Sequence, residues 1–225
     1  YIDMTIDTAR RFGVTIEHKN YTEYYIEGGQ HYTPVEFHIE GDWSSAASML
    51  VAGAVAGEVT VDNLNRLSLQ ADYAIIKALM LAGAEILSTE NSVTVRRREL
   101  KAFEFDATNC PDLFPALAAL AANCRGTSVI RGTSRLLHKE SNRALTIAEE
   151  YEKAGIEVDI SQDDIMRIRG GQIRGCCVDS HGDHRIAMSM AVAALTADSP
   201  ITIRGAECVA KSYPSFFEDL AELIC

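Results

Sequence analysis

Apolar and polar residues along this chain fall into a pattern that returns about every 70 residues. Three Ala-, Leu- or Met-rich stretches are each entered through a short punctuation mark containing an aspartate. These read Gly41-Asp42-Trp43-Ser44-Ser45-Ala46, Pro111-Asp112-Leu113-Phe114-Pro115-Ala116 and Gly182-Asp183-His184-Arg185-Ile186-Ala187. Each stretch predicts a helix, and Leu113, Leu117 and Leu120 share one helical face. Short β-branched runs follow: Glu58-Val59-Thr60-Val61, Thr127-Ser128-Val129-Ile130 and Pro200-Ile201-Thr202-Ile203. A second helix comes next in each case. Gly83 and Gly155 close two of these, and Gly13 marks a third copy upstream, as the left-handed turn past a helix C-terminus favours. Two-strand patterns then end in Tyr24-Tyr25-Ile26, Ser92-Val93-Thr94-Val95 and Ile165-Met166-Arg167-Ile168.

First-strand positions ahead of the Asp-marked helices are Glu36-Phe37-His38-Ile39, Phe103-Glu104-Phe105 and Cys176-Cys177-Val178. The predicted unit is therefore β-α-β-α-β-β, and the fold class is α/β. The chain opens inside a second helix, Tyr1 to Arg11, without an initiator Met, and closes inside another, Phe216 to Cys225. That phase leaves the last unit without its two closing strands, so the expectation is a piece of a longer chain. Asp42, Asp112 and Asp183 are each read as an N-cap, with function also open to the last two. Ser215 with Glu218 reads as a capping box. Trp43, Met188 and Met190 are expected in the core.

Composition narrows the function classes. Of 225 residues, 47% are hydrophobic and 24% charged, which excludes a disordered chain. With 21 Lys+Arg against 32 Asp+Glu, the net charge of -11 disfavours general binding to nucleic acid or an anionic membrane. No signal peptide is evident, and the longest apolar stretch, Ala46 to Ala56, is too short to span a bilayer. The six cysteines form no C-x-x-C pair and show no zinc spacing, so they are expected to be scattered buried thiols of a cytoplasmic protein.

The few cations are gathered where anions bind. Lys139-Glu140-Ser141-Asn142-Arg143 and Lys211-Ser212-Tyr213-Pro214 open second helices, and His184-Arg185 opens a first helix. Helix starts present free N–H groups and a positive dipole end. Cations there run against that dipole, a cost that a bound polyanion would offset. The repeat predicts that Lys139, Arg143, Arg185 and Lys211 converge on one face. Asp112 and Glu140 stand beside them as an acid/base pair whose roles the residues alone leave open.

Four ordered motifs carry a resemblance: Asn109-Cys110-Pro111-Asp112, Lys139 to Arg143, Asp183-His184-Arg185-Ile186-Ala187-Met188 and Lys211-Ser212-Tyr213-Pro214-Ser215-Phe216. Together they closely resemble the C-terminal half of the 5-enolpyruvylshikimate-3-phosphate synthase family, also called 3-phosphoshikimate 1-carboxyvinyltransferases. The resemblance runs from Tyr1 to Cys225. It implies pseudo-threefold β-α-β-α-β-β repeats in an inside-out α/β barrel. Residues 1–40 would end the N-terminal domain, and residues 41–225 would form most of the C-terminal domain. The implied reaction moves the enolpyruvyl group of phosphoenolpyruvate to the 5-hydroxyl of shikimate 3-phosphate and releases phosphate, with no metal or organic cofactor. By motif, Asp112 resembles the base serving that hydroxyl and Glu140 the acid protonating the methylene carbon. Arg143, Arg185 and Lys211 resemble phosphoenolpyruvate ligands. Lys139 and Tyr1 resemble shikimate 3-phosphate contacts, and His184 a supporting histidine. A position that often carries a neutral polar substrate contact, four before Lys139, is Arg135 here.

The first Lys-Ser and Arg ligands of the family and its Ser-Ser-Gln cluster have no counterpart in this sequence. Little or no turnover is therefore expected of this piece without the N-terminal domain. Two rival readings are enolpyruvyl transfer to a UDP-amino sugar and a non-catalytic anion-binding module. The first does not usually combine Lys-Glu-Ser-x-Arg with Asp-His-Arg. The second would bind anions without requiring shikimate 3-phosphate first.

Overall fold

The computed structural model describes residues 1–223. It opens with α1 (Ile2–Arg11) and the hairpin β1 (Glu17–Lys19) and β2 (Glu23–Tyr25). The first unit holds α2 (Trp43–Ala56), β3 (Glu58–Asp62), α3 (Ile75–Ala82), β4 (Glu85–Ser88) and β5 (Ser92–Arg96). The second is the full repeat: β6 (Glu104–Asp106), α4 (Phe114–Ala122), β7 (Thr127–Arg131), α5 (Arg143–Lys153), β8 (Glu157–Asp159) and β9 (Ile165–Arg169). The third comprises β10 (Cys177–Asp179), α6 (His184–Ala194), β11 (Thr202–Arg204) and α7 (Phe216–Glu222). Residues 224–225, part of the expected last helix and including Cys225, lie outside the described residues.

The sheets show the repeat directly. In the second unit the strand order is β6-β7-β9-β8, with β6 parallel to β7 and the other pairs antiparallel. The first unit has β3-β5-β4. The third has only the parallel pair β10-β11, because the hairpin that would correspond to β8-β9 is not among the described residues. One expected strand does not form. Residues 36–39 make no ladder with β3. Instead His38 pairs with the Asn63 side chain at 2.7 Å, and Asn63 donates to the Ile39 carbonyl at 3.2 Å. Phe37 turns to Phe12, with ring centroids 5.5 Å apart, and lies under the Arg11 guanidinium. Side-chain bonds and a ring contact thus replace the ladder.

Helices α2, α4 and α6 pack against one another, and the sheets lie outside them, which is the expected inside-out arrangement. Their sequences explain the position. All nine residues of α4 are buried, so this helix has no polar face. The expected one-sided leucine stripe is therefore only part of a helix enclosed all round. Leu113, Leu117 and Leu120 are fully buried, each removing apolar surface worth about 1.5–3 kcal/mol. Trp43, Met188 and Met190 are in the core as expected. By contrast α5 has a single buried stripe of Arg143, Thr146, Ile147, Glu150 and Tyr151.

Local chemistry sets the element ends. Gly13, Gly83 and Gly155 adopt positive φ past α1, α3 and α5. Asp42 caps α2, accepting the N–H groups of Ser44 and Ser45 at 3.1 and 3.0 Å. The capping box at Ser215 is not formed. Its hydroxyl donates to Asp219 at 3.0 Å, so the local helical spacing of four wins over the cap. Free thiols are found at Cys110, Cys124, Cys176, Cys177 and Cys208; against expectation only Cys110 and Cys124 are buried, with Cys176 and Cys208 half-buried and Cys177 exposed. Burial pushes the Cys110 and Cys124 thiols up to about 12. Among the described residues, no helix is long and apolar enough to cross a membrane.

Close approach of α2 to its sheet depends on Gly53. A Cβ there would meet the Val95 carbonyl oxygen at 2.7 Å and the Val59 nitrogen at 2.9 Å, both backbone atoms. Gly53→Ala is expected to lower unfolding free energy in urea by about 1–3 kcal/mol. Gly28→Ala, where a Cβ meets nothing within 4 Å, should stay within about 0.5 kcal/mol. Equal stability of the two variants would contradict the packing assigned to α2.

Candidate active site

Three chain segments that lead into α4, α5 and α6 meet at one guanidinium. Arg143, the first residue of α5, has no exposed side-chain surface. Its Nε donates to Asp183 Oδ2 at 2.8 Å and its Nη2 to Asp183 Oδ1 at 3.2 Å. Nη1 donates to Asp112 Oδ1 at 2.8 Å, and Nη2 also donates to Glu140 Oε2 at 2.6 Å. The planar fork of arginine suits this two-point grip on a carboxylate. Asp183 is itself fully buried, and it also accepts the Arg185 N–H at 3.0 Å and the Ser141 hydroxyl at 3.2 Å. It therefore acts both as the N-cap of α6 and as the main partner of Arg143.

Asp112 does not cap α4. It lies in the short 3₁₀ turn Pro111–Leu113, which leaves its carboxylate free to face the cations. Lys139 Nζ is 3.0 Å from it, Arg185 Nε is 3.9 Å away, and the Tyr1 hydroxyl donates to it at 3.3 Å. Burial alone would raise its pKa, but Arg185, Lys139 and Arg143 outweigh that and hold it at about 2. Glu140 receives Lys211 Nζ at 2.8 Å on its other oxygen. Here too burial pushes upward, while Lys211 and Arg143 bring the carboxyl down to about 2. Both carboxylates are thus ionised near neutral pH.

The structure brings Tyr1, Asp112, Lys139, Glu140, Arg143, Arg185 and Lys211 into one linked cluster. Lys211 reaches it differently from the sequence expectation. It ends a 3₁₀ helix, Ala206–Lys211, instead of opening α7. Arg135 is exposed on another 3₁₀ turn and makes no side-chain hydrogen bond or ion pair among the described residues. His184, the first residue of α6, is buried beside the cluster, and its Nδ1 has no hydrogen-bond partner among the described residues. Burial and the Arg185 charge lower its pKa, which favours a neutral imidazole.

One carboxylate of this region was not marked by the motifs. Asp72 is buried in the 3₁₀ turn leading to α3, where it accepts a short hydrogen bond from Ser44. Burial raises its pKa, against the Ser44 hydrogen bond and the nearby Arg185 charge. The nearby Asp112 charge raises it further. The repeat held the signal, since Asp72 falls near the position that Asn142 and Arg143 occupy one unit later. A separate groove of about 540 Å³, lined by Asp7, Arg11, His38, Arg66 and Gln70 among others, includes none of the clustered cations.

Comparison with known proteins gives a consistent picture. The family model for EPSP synthase (3-phosphoshikimate 1-carboxyvinyltransferase) matches residues 1–220. A 3-phosphoshikimate 1-carboxyvinyltransferase of Clostridium acetobutylicum is 40% identical over 99% of this chain and 52% of its own length. One from Aeropyrum pernix is 41% identical with the same two coverages. The chain spans about half the length of the curated relatives it matches. Among solved structures, an EPSP synthase of Acinetobacter baumannii superposes with a TM-score of 0.81 at 29% identity, covering 95% of this chain and 52% of that one. The enolpyruvyl transferase NikO of Streptomyces tendae shares the fold, with a TM-score of 0.71 at 19% identity over 99% of this chain and 52% of that one. With its full repeat, its inside-out packing and a family match over nearly all its length, the chain belongs to the EPSP synthase family.

Proposed function

We propose that this chain is the C-terminal half of a cytoplasmic 3-phosphoshikimate 1-carboxyvinyltransferase. In this reading residues 1–40 end the N-terminal domain and residues 41–225 make most of the C-terminal one. The whole enzyme transfers the enolpyruvyl group of phosphoenolpyruvate to the 5-hydroxyl of shikimate 3-phosphate and releases phosphate. The observation that carries the reading is the cluster tied together by Arg143 at the leading ends of three helices, found in a chain of this family.

The geometry suits two polyanionic substrates. Arg185 and Lys211 keep exposed surface and are held by few partners, so they are free to bind phosphoenolpyruvate. Arg143 has its nitrogens engaged by carboxylates, so an anion reaches it by displacing Asp112 or Glu140. The unpartnered His184 Nδ1 is a further polar atom at the same place. Lys139 and Tyr1, both on Asp112, would flank the 5-hydroxyl that Asp112 deprotonates. Arg135 is assigned to the rim of the shikimate 3-phosphate site. Cations placed in advance around the reacting carbon stabilise charge that develops as the enolpyruvyl group adds.

Charge balance supports dependence on the other half. The four clustered cations already face Asp112, Glu140 and Asp183. Little positive charge remains for two polyanions, so the N-terminal domain must supply more. Phosphate release from phosphoenolpyruvate, with and without shikimate 3-phosphate, tests the reading on the full-length parent and this chain side by side. Release by the parent alone, and only with both substrates, is the expected result. A parent that binds anions but releases no phosphate would favour a non-catalytic module instead.

Asp112→Ala and Lys211→Ala in the parent are each expected to slow phosphate release by about a hundredfold or more. An unchanged rate in either variant would remove that residue from the mechanism.

Substrate anions also compete with Glu140 for Lys211 and Arg143. Losing those partners lets burial dominate, so the Glu140 pKa rises from about 2 and the carboxyl gains a proton. Formation of the ternary complex should therefore take up protons near neutral pH and strengthen as pH falls. Calorimetry in two buffers of different ionisation enthalpy reads this directly. Net proton release would contradict Glu140 as the acid.

A further inference from the structure

Glu150 lies on the same face of α5 as Arg143, two turns further on. Its side chain is fully buried, yet both carboxylate oxygens are engaged. Oε1 is 2.7 Å from His181 Nε2, and Oε2 accepts the Asp179 N–H at 3.0 Å. Lys153 Nζ donates to both oxygens at 2.8 and 2.7 Å. A buried carboxylate is a costly way to fill a buried position, because a hydrophobic residue of similar volume holds a core as well or better.

The partners of Glu150 other than Lys153 are Asp179, the last residue of β10, and His181, both in the turn segment 179–183 that leads from β10 into α6. This turn is conformationally demanding. His181 and Gly182 have φ of 52° and 69°, two left-handed residues in succession, the first with a side chain. Ser180 ties the same turn to the residue after β11, donating to the Gly205 carbonyl at 3.0 Å. The turn delivers Asp183 to Arg143 and begins the helix that carries Arg185. Helix α5 therefore grips one turn at two points.

We propose that Glu150, through His181 and the Asp179 amide, is a positioning residue that sets the turn 179–183 so that Asp183 meets Arg143 and Arg185 faces phosphoenolpyruvate. The proposal rests on the function assigned above. It places the residues outside the cluster itself, where they act through backbone conformation. The effect should be selective, since Lys139 and Asp112 come from other segments.

The test uses the full-length enzyme with Glu150→Ala, Glu150→Gln and His181→Ala. Glu150→Ala is expected to raise the KM for phosphoenolpyruvate by about fivefold or more, with the KM for shikimate 3-phosphate within about twofold. Glu150→Gln should recover most of the loss, because its amide oxygen still accepts from Asp179. His181→Ala, at a partly exposed side chain, should move the same KM in the same direction and carries the test if Glu150→Ala does not fold. The NMR signal of the buried Arg143 Nε–H gives a readout independent of turnover, expected to shift or broaden in Glu150→Ala and in His181→Ala. An unchanged phosphoenolpyruvate KM in His181→Ala overturns the proposal, as does an equal rise in both KM values with a loss of thermal stability. A wild-type enzyme that releases no phosphate overturns the function instead; the Arg143 signal then decides, and an unmoved signal rejects the positioning role.

Discussion

A guanidinium without exposed surface, holding three carboxylates from three segments, is the constraint from which the rest of this structure follows. Two charges taken out of water are stable only with close geometry and filled hydrogen bonds. Arg143 meets that condition by facing Asp183 with Nε and Nη2, sending Nη1 to Asp112 and sharing Nη2 with Glu140. Those contacts fix the leading ends of α4, α5 and α6 relative to one another. Together with Arg185, Lys139 and Lys211 they hold the carboxyl pKa values of Asp112 and Glu140 down at about 2, and Arg185 and Lys211 remain the less committed cations.

The architecture makes this meeting point possible. Enclosing α2, α4 and α6 inside three sheets requires helices without polar faces, and the Ala-rich sequences supply them. Small residues also let the helices and sheets approach closely, as at Gly53. With the helix bodies apolar all round, charged chemistry is confined to the segments at their ends. The repeat then brings equivalent ends together, so that residues distant in sequence share one site.

Much of this was legible in the sequence. The return of Asp-marked helices, β-branched runs and closing glycines gave the unit and its phase, and the cations at its helix starts indicated one face. What was hidden depended on context. Residues 36–39 have strand composition, but Phe37 is drawn to Phe12 and Arg11 and the ladder is not made. Ser215 and Glu218 have capping-box spacing, yet Ser215 finds Asp219 one residue further on. The three aspartates look equivalent in the repeat, but a proline-led 3₁₀ turn releases Asp112 from capping while Asp183 caps and pairs at once. Asp72 carries no local mark, and only the repeat offset points to it. Burial also decides what spacing cannot, since it puts Asp183 and Glu150 inside the protein with cationic partners.

The most direct test of Arg143 as organiser is a double-mutant cycle with Arg143→Met and Asp183→Asn, read by urea unfolding of this chain. Arg143→Met alone should cost about 3–5 kcal/mol, because it leaves the buried Asp183 carboxylate uncompensated, whereas Asp183→Asn should cost less, because Asp112 and Glu140 still face Arg143. The double variant leaves no such charge, so the two losses should fall short of additivity by about 2 kcal/mol or more. Additive losses would mean that Arg143 and Asp183 do not depend on each other, and the account of the site built around them would fail.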